Sequence, residues 1–96
     1  MNLVLTQAAE TDLEAIADWI GADNPRRALS FVQELLAACE AIIFAPHAYP
    51  IAPRFVDQGI RRKVHGDYLI FYRLDPDAVT VLHILNGARD YDSLLR

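Results

Sequence analysis

The 96 residues carry 53% hydrophobic and 23% charged side chains with only four Gly and five Pro, which excludes disorder and low-complexity sequence and leaves room for one compact domain spanning 1–96. A single cysteine, Cys39, excludes an internal disulfide framework and every multi-cysteine zinc motif. The net charge of −4 is unevenly placed, −5 over residues 1–46 and +1 over 47–96, and the absence of a basic excess argues against a protein that lives on DNA or RNA. No basic segment followed by a long apolar run opens the chain, and no apolar stretch reaches the ~18 residues of a membrane span. A cytoplasmic protein that does not enter a membrane is expected.

Leu3-Val4-Leu5 is a short apolar run suited to a brief strand, and Thr6 is placed to cap a helix beginning just after it. From Ala8 the pattern is helical: Leu13, Ile16, Ala17 and Ile20 fall on one face, and Glu10, Glu14 and Asp18 form an acidic ridge. Asn24-Pro25 supplies an N-cap and a first-turn proline for a second helix running to about Phe44. Its stripe is Ala28, Val32, Leu35, Cys39 and Ile42, widened by Leu36 and Ile43. So short a connection makes the two helices an antiparallel hairpin. Pro46, Pro50 and Pro53 then impose an irregular loop or crossover.

After Gly59 the pattern becomes strand-like, over Ile60–His65, Tyr68–Leu74 and Ala78–Leu85, separated by Gly66-Asp67 and Asp75-Pro76-Asp77. These three strands form an antiparallel meander. Val79, Val81 and Leu85 are expected on one face of the last strand and Leu82 and Ile84 on the other, which makes it central. Ala88 to Arg96 is long enough for a short terminal helix or arm. The fold class is α+β: an N-terminal strand and a helical hairpin packed on an antiparallel sheet with a C-terminal three-strand meander.

His47, His65 and His83 lie on different elements without ligand spacing, so neither a metal site nor another cofactor is expected. Cys39 falls in the apolar stripe of the second helix, where a buried structural thiol outweighs a nucleophile. Trp19 and Tyr91 suit either surface anchors or parts of a small core, the latter being the commoner role. The concentrated polar feature is Arg61-Arg62-Lys63 with His65, then Arg73 and Arg89. On a strand Arg61 and Lys63 share one face and Arg62 the other, with Arg61 and Lys63 expected toward solvent. Two readings stand side by side: a charged edge strand that resists sheet-to-sheet aggregation, and an anion or partner surface.

Two strings carry more information. Gly66-Asp67-Tyr68-Leu69-Ile70-Phe71-Tyr72-Arg73 and Leu82-His83-Ile84-Leu85-Asn86-Gly87-Ala88-Arg89-Asp90 resemble elements of the ParE branch of the RelE/ParE toxin superfamily. Leu5-Thr6, Ala8-Ala9, Asp12-Leu13, Ile16, Trp19-Ile20, Asn24-Pro25 and Ala28 resemble the same family's first helix and bend. The resemblance spans nearly the whole chain in the family's order. It implies a RelE/ParE-like toxin of a type II toxin–antitoxin pair, a plasmid-stabilisation type of module, held in a hetero-oligomer with a ParD-like antitoxin. Within the superfamily, RelE-like members cleave messenger RNA on the ribosome and ParE-like members block DNA gyrase. Arg62 and Arg89 match basic positions of the RelE pattern, and the relation of Tyr91 to the RelE terminal tyrosine stays open. Leu69, however, stands where RelE-like toxins tend to place Arg, and leucine cannot hold a phosphate.

The resemblance therefore favours a gyrase inhibitor, without a catalytic centre or sequence-specific nucleic-acid binding, over the alternative of a RelE-like ribosome-dependent mRNA endonuclease. The target-binding candidates are Arg61, Arg62, Lys63, Arg73, Arg89 and Tyr91. The antitoxin-binding candidates are Leu29, Phe31 and Leu36, because the apolar stripe of the second helix exceeds what a short first helix covers. A third possibility is a non-toxic module that only binds the antitoxin, with the acidic helical half facing a basic segment or a sheet edge accepting a strand.

Overall fold

In a computed structural model that describes residues 1–89 and 91–95, the elements are β1 (Asn2–Leu5), α1 (Gln7–Gly21), α2 (Pro25–Ile42), a 3-10 turn (Pro53–Phe55), β2 (Arg61–His65), β3 (Tyr68–Asp75), β4 (Ala78–Asn86) and α3 (Asp92–Leu95). Each long helix starts where capping chemistry places it. Thr6 Oγ1 accepts from the Ala9 amide at 3.1 Å, and Asn24 Oδ1 accepts from the Arg27 amide at 3.1 Å with Pro25 at the first helical position. The second helix ends at Ile42, two residues before Phe44, as the Ile43 and Phe44 amides turn back to the Glu40 and Ala41 carbonyls.

The sheet order is β1-β4-β3-β2. The meander is antiparallel as expected, with Gly66 at φ 58° in the tight β2–β3 turn. The all-antiparallel expectation is corrected at β1, which pairs in parallel with β4, Leu3 beside Val79 and Leu5 beside Val81. The sheet is mixed, because the α1–α2 hairpin carries the chain across before the meander lays β4 alongside β1. The main core lies between the hairpin and one sheet face, built from Leu13, Ile16, Leu35, Cys39, Ile42, Ile70, Tyr72, Val79, Val81 and Ile84. A smaller cluster of Ala52, Phe55, Ile60, Phe71 and Leu85 occupies the opposite face, flanked by Tyr91 and Leu95.

A β-bulge shapes β4. Tyr72 pairs with Val81 but Phe71 pairs with His83, so Leu82 is an extra residue. The strand's alternation resets there: Val79, Val81 and Ile84 face the hairpin, while Leu82 and Leu85 join the opposite cluster. This reverses the expected facing of Leu85 and Ile84. The start of α1 pins the irregularity, since Thr6 Oγ1 lies 3.0 Å from both the Val81 and Leu82 carbonyl oxygens and Asp12 Oδ2 accepts from the Ile84 amide at 2.9 Å.

The proline-rich segment is tied to β2. Ala52 and Ile60 share an amide-to-carbonyl bond of 2.8 Å, the Arg62 amide donates to Pro50 at 3.0 Å, and Ile51 bridges Arg61. The 3-10 turn thereby seats Phe55 beneath the end of β2, and its neighbour Arg54 faces the C-terminal segment through a pair with Asp92.

Candidate functional site

The alternation of β2 divides the basic triplet between two surfaces. On the hairpin side, Arg61 Nη1 donates to the Tyr49 carbonyl at 2.7 Å, and Lys63 Nζ donates to the Ala38 carbonyl of α2 at 2.8 Å while lying 4.9 Å from the Tyr49 ring centre. The expected solvent-facing role of these two is corrected: they tie the proline-rich segment and α2 to the sheet edge. Tyr72 belongs to the same arrangement. Its hydroxyl donates to Pro46 at 2.7 Å, its ring meets Tyr49 edge-on, and burial raises its pKa.

On the opposite face, Arg62 projects into an open cleft of about 380 Å³ with Arg54, Arg89, Tyr91 and Asp92, floored by Ala52, Pro53 and Phe55. Three elements bring these groups together: β2 supplies Arg62, the turn before it Arg54, and the segment after β4 the rest. Arg54 and Asp92 are ion-paired. Among the described residues neither Arg62 nor Arg89 has an ion pair or side-chain hydrogen bond. Tyr91 packs its ring 4.9 Å from Phe71, so the tyrosine is part of the small cluster as well as of the cleft wall.

Arg73 stands apart from this cleft. Its Nε donates to Asp75 Oδ1 at 3.0 Å, and it borders a second, more apolar cavity of about 330 Å³ beside His83, Leu82 and Leu95. Of the six basic and aromatic target-binding candidates, then, the structure brings together Arg62, Arg89 and Tyr91. It adds Arg54, which the sequence hid inside a proline-rich stretch, and separates Arg61, Lys63 and Arg73. Asp90, next to Arg89 in the sequence, lies outside the described residues.

The family model for the ParE toxin of type II toxin–antitoxin systems, parDE, matches residues 3–91. This chain belongs to the ParE toxin family. Among solved structures, the chromosomal ParDE TA system from P. aeruginosa has the same fold, at a TM-score of 0.78 and 24% identity over 90% of this chain and 95% of that one. No curated protein sequence matched.

In this ParE-type toxin, Leu69 packs on the small cluster opposite the hairpin, paired with Leu85 and Val64 and close to Gly87. A leucine is therefore accommodated there as a packing residue rather than a phosphate ligand. The antitoxin-binding candidates differ in accessibility. Leu29 is 64% exposed, whereas Phe31 packs against His65 and Tyr68 and Leu36 leans on the main core. Trp19 on α1 is 79% exposed and joins Leu29 as a large apolar side chain offered by the hairpin, so it is no part of the core. The Cys39 thiol is fully buried, and desolvation pushes its pKa up to about 11, which keeps it protonated and unreactive. Among the described residues no cluster of three or more His, Cys, Asp or Glu could hold a metal, and no helix is long and apolar enough to cross a membrane.

Proposed function

We propose that this ParE-family chain inhibits DNA gyrase in the cytoplasm and is neutralised by a ParD-like antitoxin made with it. The observation that carries the reading is the family match across residues 3–91, supported by Leu69 at the position where RNA-cleaving relatives tend to carry Arg. The toxin acts by occupying its target rather than by bond-breaking chemistry, with Arg62, Arg89 and Tyr91 as the groups that meet gyrase. Arg61 and Lys63 contribute to the same surface through the scaffold they hold, while Arg73 would meet the target separately, beside the second cavity. The antitoxin covers the hairpin through Leu29, Phe31 and Leu36, with Trp19 beside them. A part in plasmid stabilisation belongs to the same pairing, as does a hetero-oligomer in the resting cell.

One observation favours a second reading. Arg54, Arg62, Arg89 and Tyr91 line one cleft, and such a group could steady a scissile phosphate in a ribosome-dependent mRNA endonuclease. A paired assay separates the two. Purified toxin is added to gyrase with relaxed plasmid and, separately, to ribosomes carrying a defined message. Loss of supercoiling with intact message is expected and is reversed by the antitoxin. Site-specific cuts in the message with unimpaired supercoiling would replace gyrase inhibition with RNA cleavage. Growth that continues when the chain is induced alone would leave only an antitoxin-binding module.

A further inference from the structure

We infer that the cavity beside His83 binds a small, uncharged aromatic molecule with one hydrogen-bond donor, of the phenol or indole class. The inference goes beyond gyrase inhibition and antitoxin binding and depends on neither. The cavity, of about 330 Å³, lies where β4 runs on past its last pairing with β1 at Val81. Its apolar walls are Ala8 of α1, Ile60 before β2, Leu82 of β4, and Leu94 and Leu95 of α3. Leu82 is the extra residue of the bulge, which sets it on this face of the sheet. The cavity shares no lining residue with the basic cleft. Its volume falls within the ~300–1,000 Å³ of typical ligand sites, and since an apolar cavity of ~150 Å³ already takes benzene, this one has room for a substituted or fused ring.

The polar groups of the wall select the ligand. Thr6 is already engaged: its hydroxyl lies 3.0 Å from the Val81 and Leu82 carbonyl oxygens and accepts the Ala9 amide. The two ionisable side chains of the wall are each answered from outside it, Arg73 by Asp75 and His83 by Asp12. No Asp or Glu lines the cavity among the described residues, so a cation finds no carboxylate there, and an anion must compete with Asp75 for Arg73. The remaining acceptor is His83 Nε2. Asp12 Oδ2 takes the Ile84 amide as well as His83 Nδ1, so Nδ1 is the donor of that pair, and the neutral ring presents Nε2 as an acceptor. Among the described residues Nε2 has no partner, whereas every polar side-chain atom sealed from solvent has one, so Nε2 is open to an incoming molecule. A hydroxyl or ring N–H satisfies it while the rest of the ligand lies on the leucines. An aromatic body suits this arrangement because it covers much apolar surface and loses little conformational freedom on binding.

The test titrates the full-length chain with phenol and with indole, and for comparison with toluene, benzoate and benzylamine, following the Leu82, Leu94 and Leu95 methyl groups and the His83 ring nitrogens by NMR. Saturable shifts at these groups are expected for phenol and indole. Toluene, which fills the walls but brings no donor, should bind about tenfold more weakly, and the two ions more weakly still. Ala8→Phe fills the cavity from the first turn of α1 and leaves the Asp12–His83 pair in place, so it should abolish binding. His83→Phe removes the acceptor and should bring phenol down to the affinity of toluene. Phe44→Ala, at an 88% exposed side chain outside the cavity, should leave binding unchanged. Circular dichroism checks the fold of each variant, and the comparison of phenol with toluene on the parent chain decides even where a variant fails to fold. The inference is overturned if neither phenol nor indole saturates, if toluene binds as tightly as phenol, if benzoate or benzylamine binds most tightly, or if binding survives in a folded Ala8→Phe variant.

Discussion

Asp12 and His83 clamp the first long helix to the central strand: Asp12 Oδ2 lies 2.8 Å from His83 Nδ1 and, through the same oxygen, accepts the Ile84 amide at 2.9 Å. Both side chains are largely shielded, at 15% and 17% exposure. The carboxylate sits in the second turn of α1 and grips β4 just after the extra residue Leu82. Thr6 holds the carbonyl side of the same irregularity. Replacing Asp12 by Ala should therefore leave a shielded amide without its acceptor and lower stability by about 1–3 kcal/mol, measured by urea denaturation. Asp12→Asn, which retains an acceptor oxygen, should recover part of the loss. Equal stability of both variants and the parent would show that the clamp contributes nothing.

Arg61 and Lys63 should behave as scaffold. Changing both to Met preserves their apolar stems but removes the donors to Tyr49 and Ala38. A loss of about 1–3 kcal/mol is expected for the double variant. A melting curve superimposable on that of the parent protein would return these residues to the solvent-facing surface expected from the sequence.

The turn between β3 and β4 should carry acid-sensitive stability. Thr80 donates to Asp75 at 2.6 Å and Arg73 donates to it at 3.0 Å; these bonds, the Thr80 bond foremost, lower the Asp75 pKa from 3.8. A carboxyl lowered on folding stabilises the native state above its unfolded pKa, and the contribution is lost as pH falls through the folded value. Thr80→Val should thus be less stable than the parent at neutral pH, with the Asp75-dependent part of the gap closing as the solution is acidified below pH 3.8. A gap that widens on acidification would reverse the assigned linkage.

Cys39 should report opening of the main core. Its pKa is raised from 9.0 to about 11 by burial, so a thiol reagent at mildly alkaline pH should label it only as fast as the core opens. Because the thiolate is disfavoured in the folded state, native stability should fall as pH rises past the unfolded thiol's 9.0. Rapid labelling under native conditions would contradict the buried position.

Local chemistry was the most legible part of the sequence. Thr6 and Asn24-Pro25 announced both helix starts, and Gly66-Asp67 announced the meander's first turn, because capping and turn geometry depend on neighbours in the chain. The parallel pairing of β1 with β4 was not legible, since it joins segments separated by the whole helical hairpin. The bulge at Leu82 left one sign in the sequence, since strict alternation would set His83 between Val81 and Leu85 on the core face, but apolar residues on both sides of β4 masked it. The cleft was half legible: Arg62 and Arg89 stood out by charge, but only the bridge between Ile51 and Arg61 and the turn at Pro53–Phe55 bring Arg54 beside them. Arg61 and Lys63 alternate correctly, yet alternation cannot say which face a hairpin will cover.

The parallel union of the first and last strands makes the order of synthesis matter. β1 precedes its neighbour β4 by the whole hairpin and the β2–β3 turn, so the Thr6 and Asp12 anchors have nothing to grip until the chain has been made through Ile84. The helical hairpin and the β2–β3 turn close over short chain separations, whereas joining β1 to β4 closes a loop of most of the chain and bears the larger entropic cost. Sheet closure is consequently the late event of folding, and in refolding monitored by pulsed hydrogen exchange the Thr6 amide, bonded to Val81, should gain protection after the β3–β4 amides. A chain interrupted before Val81 lacks the strand that completes the sheet, so β2 and the segment that follows β4 come together only after β4 has been made.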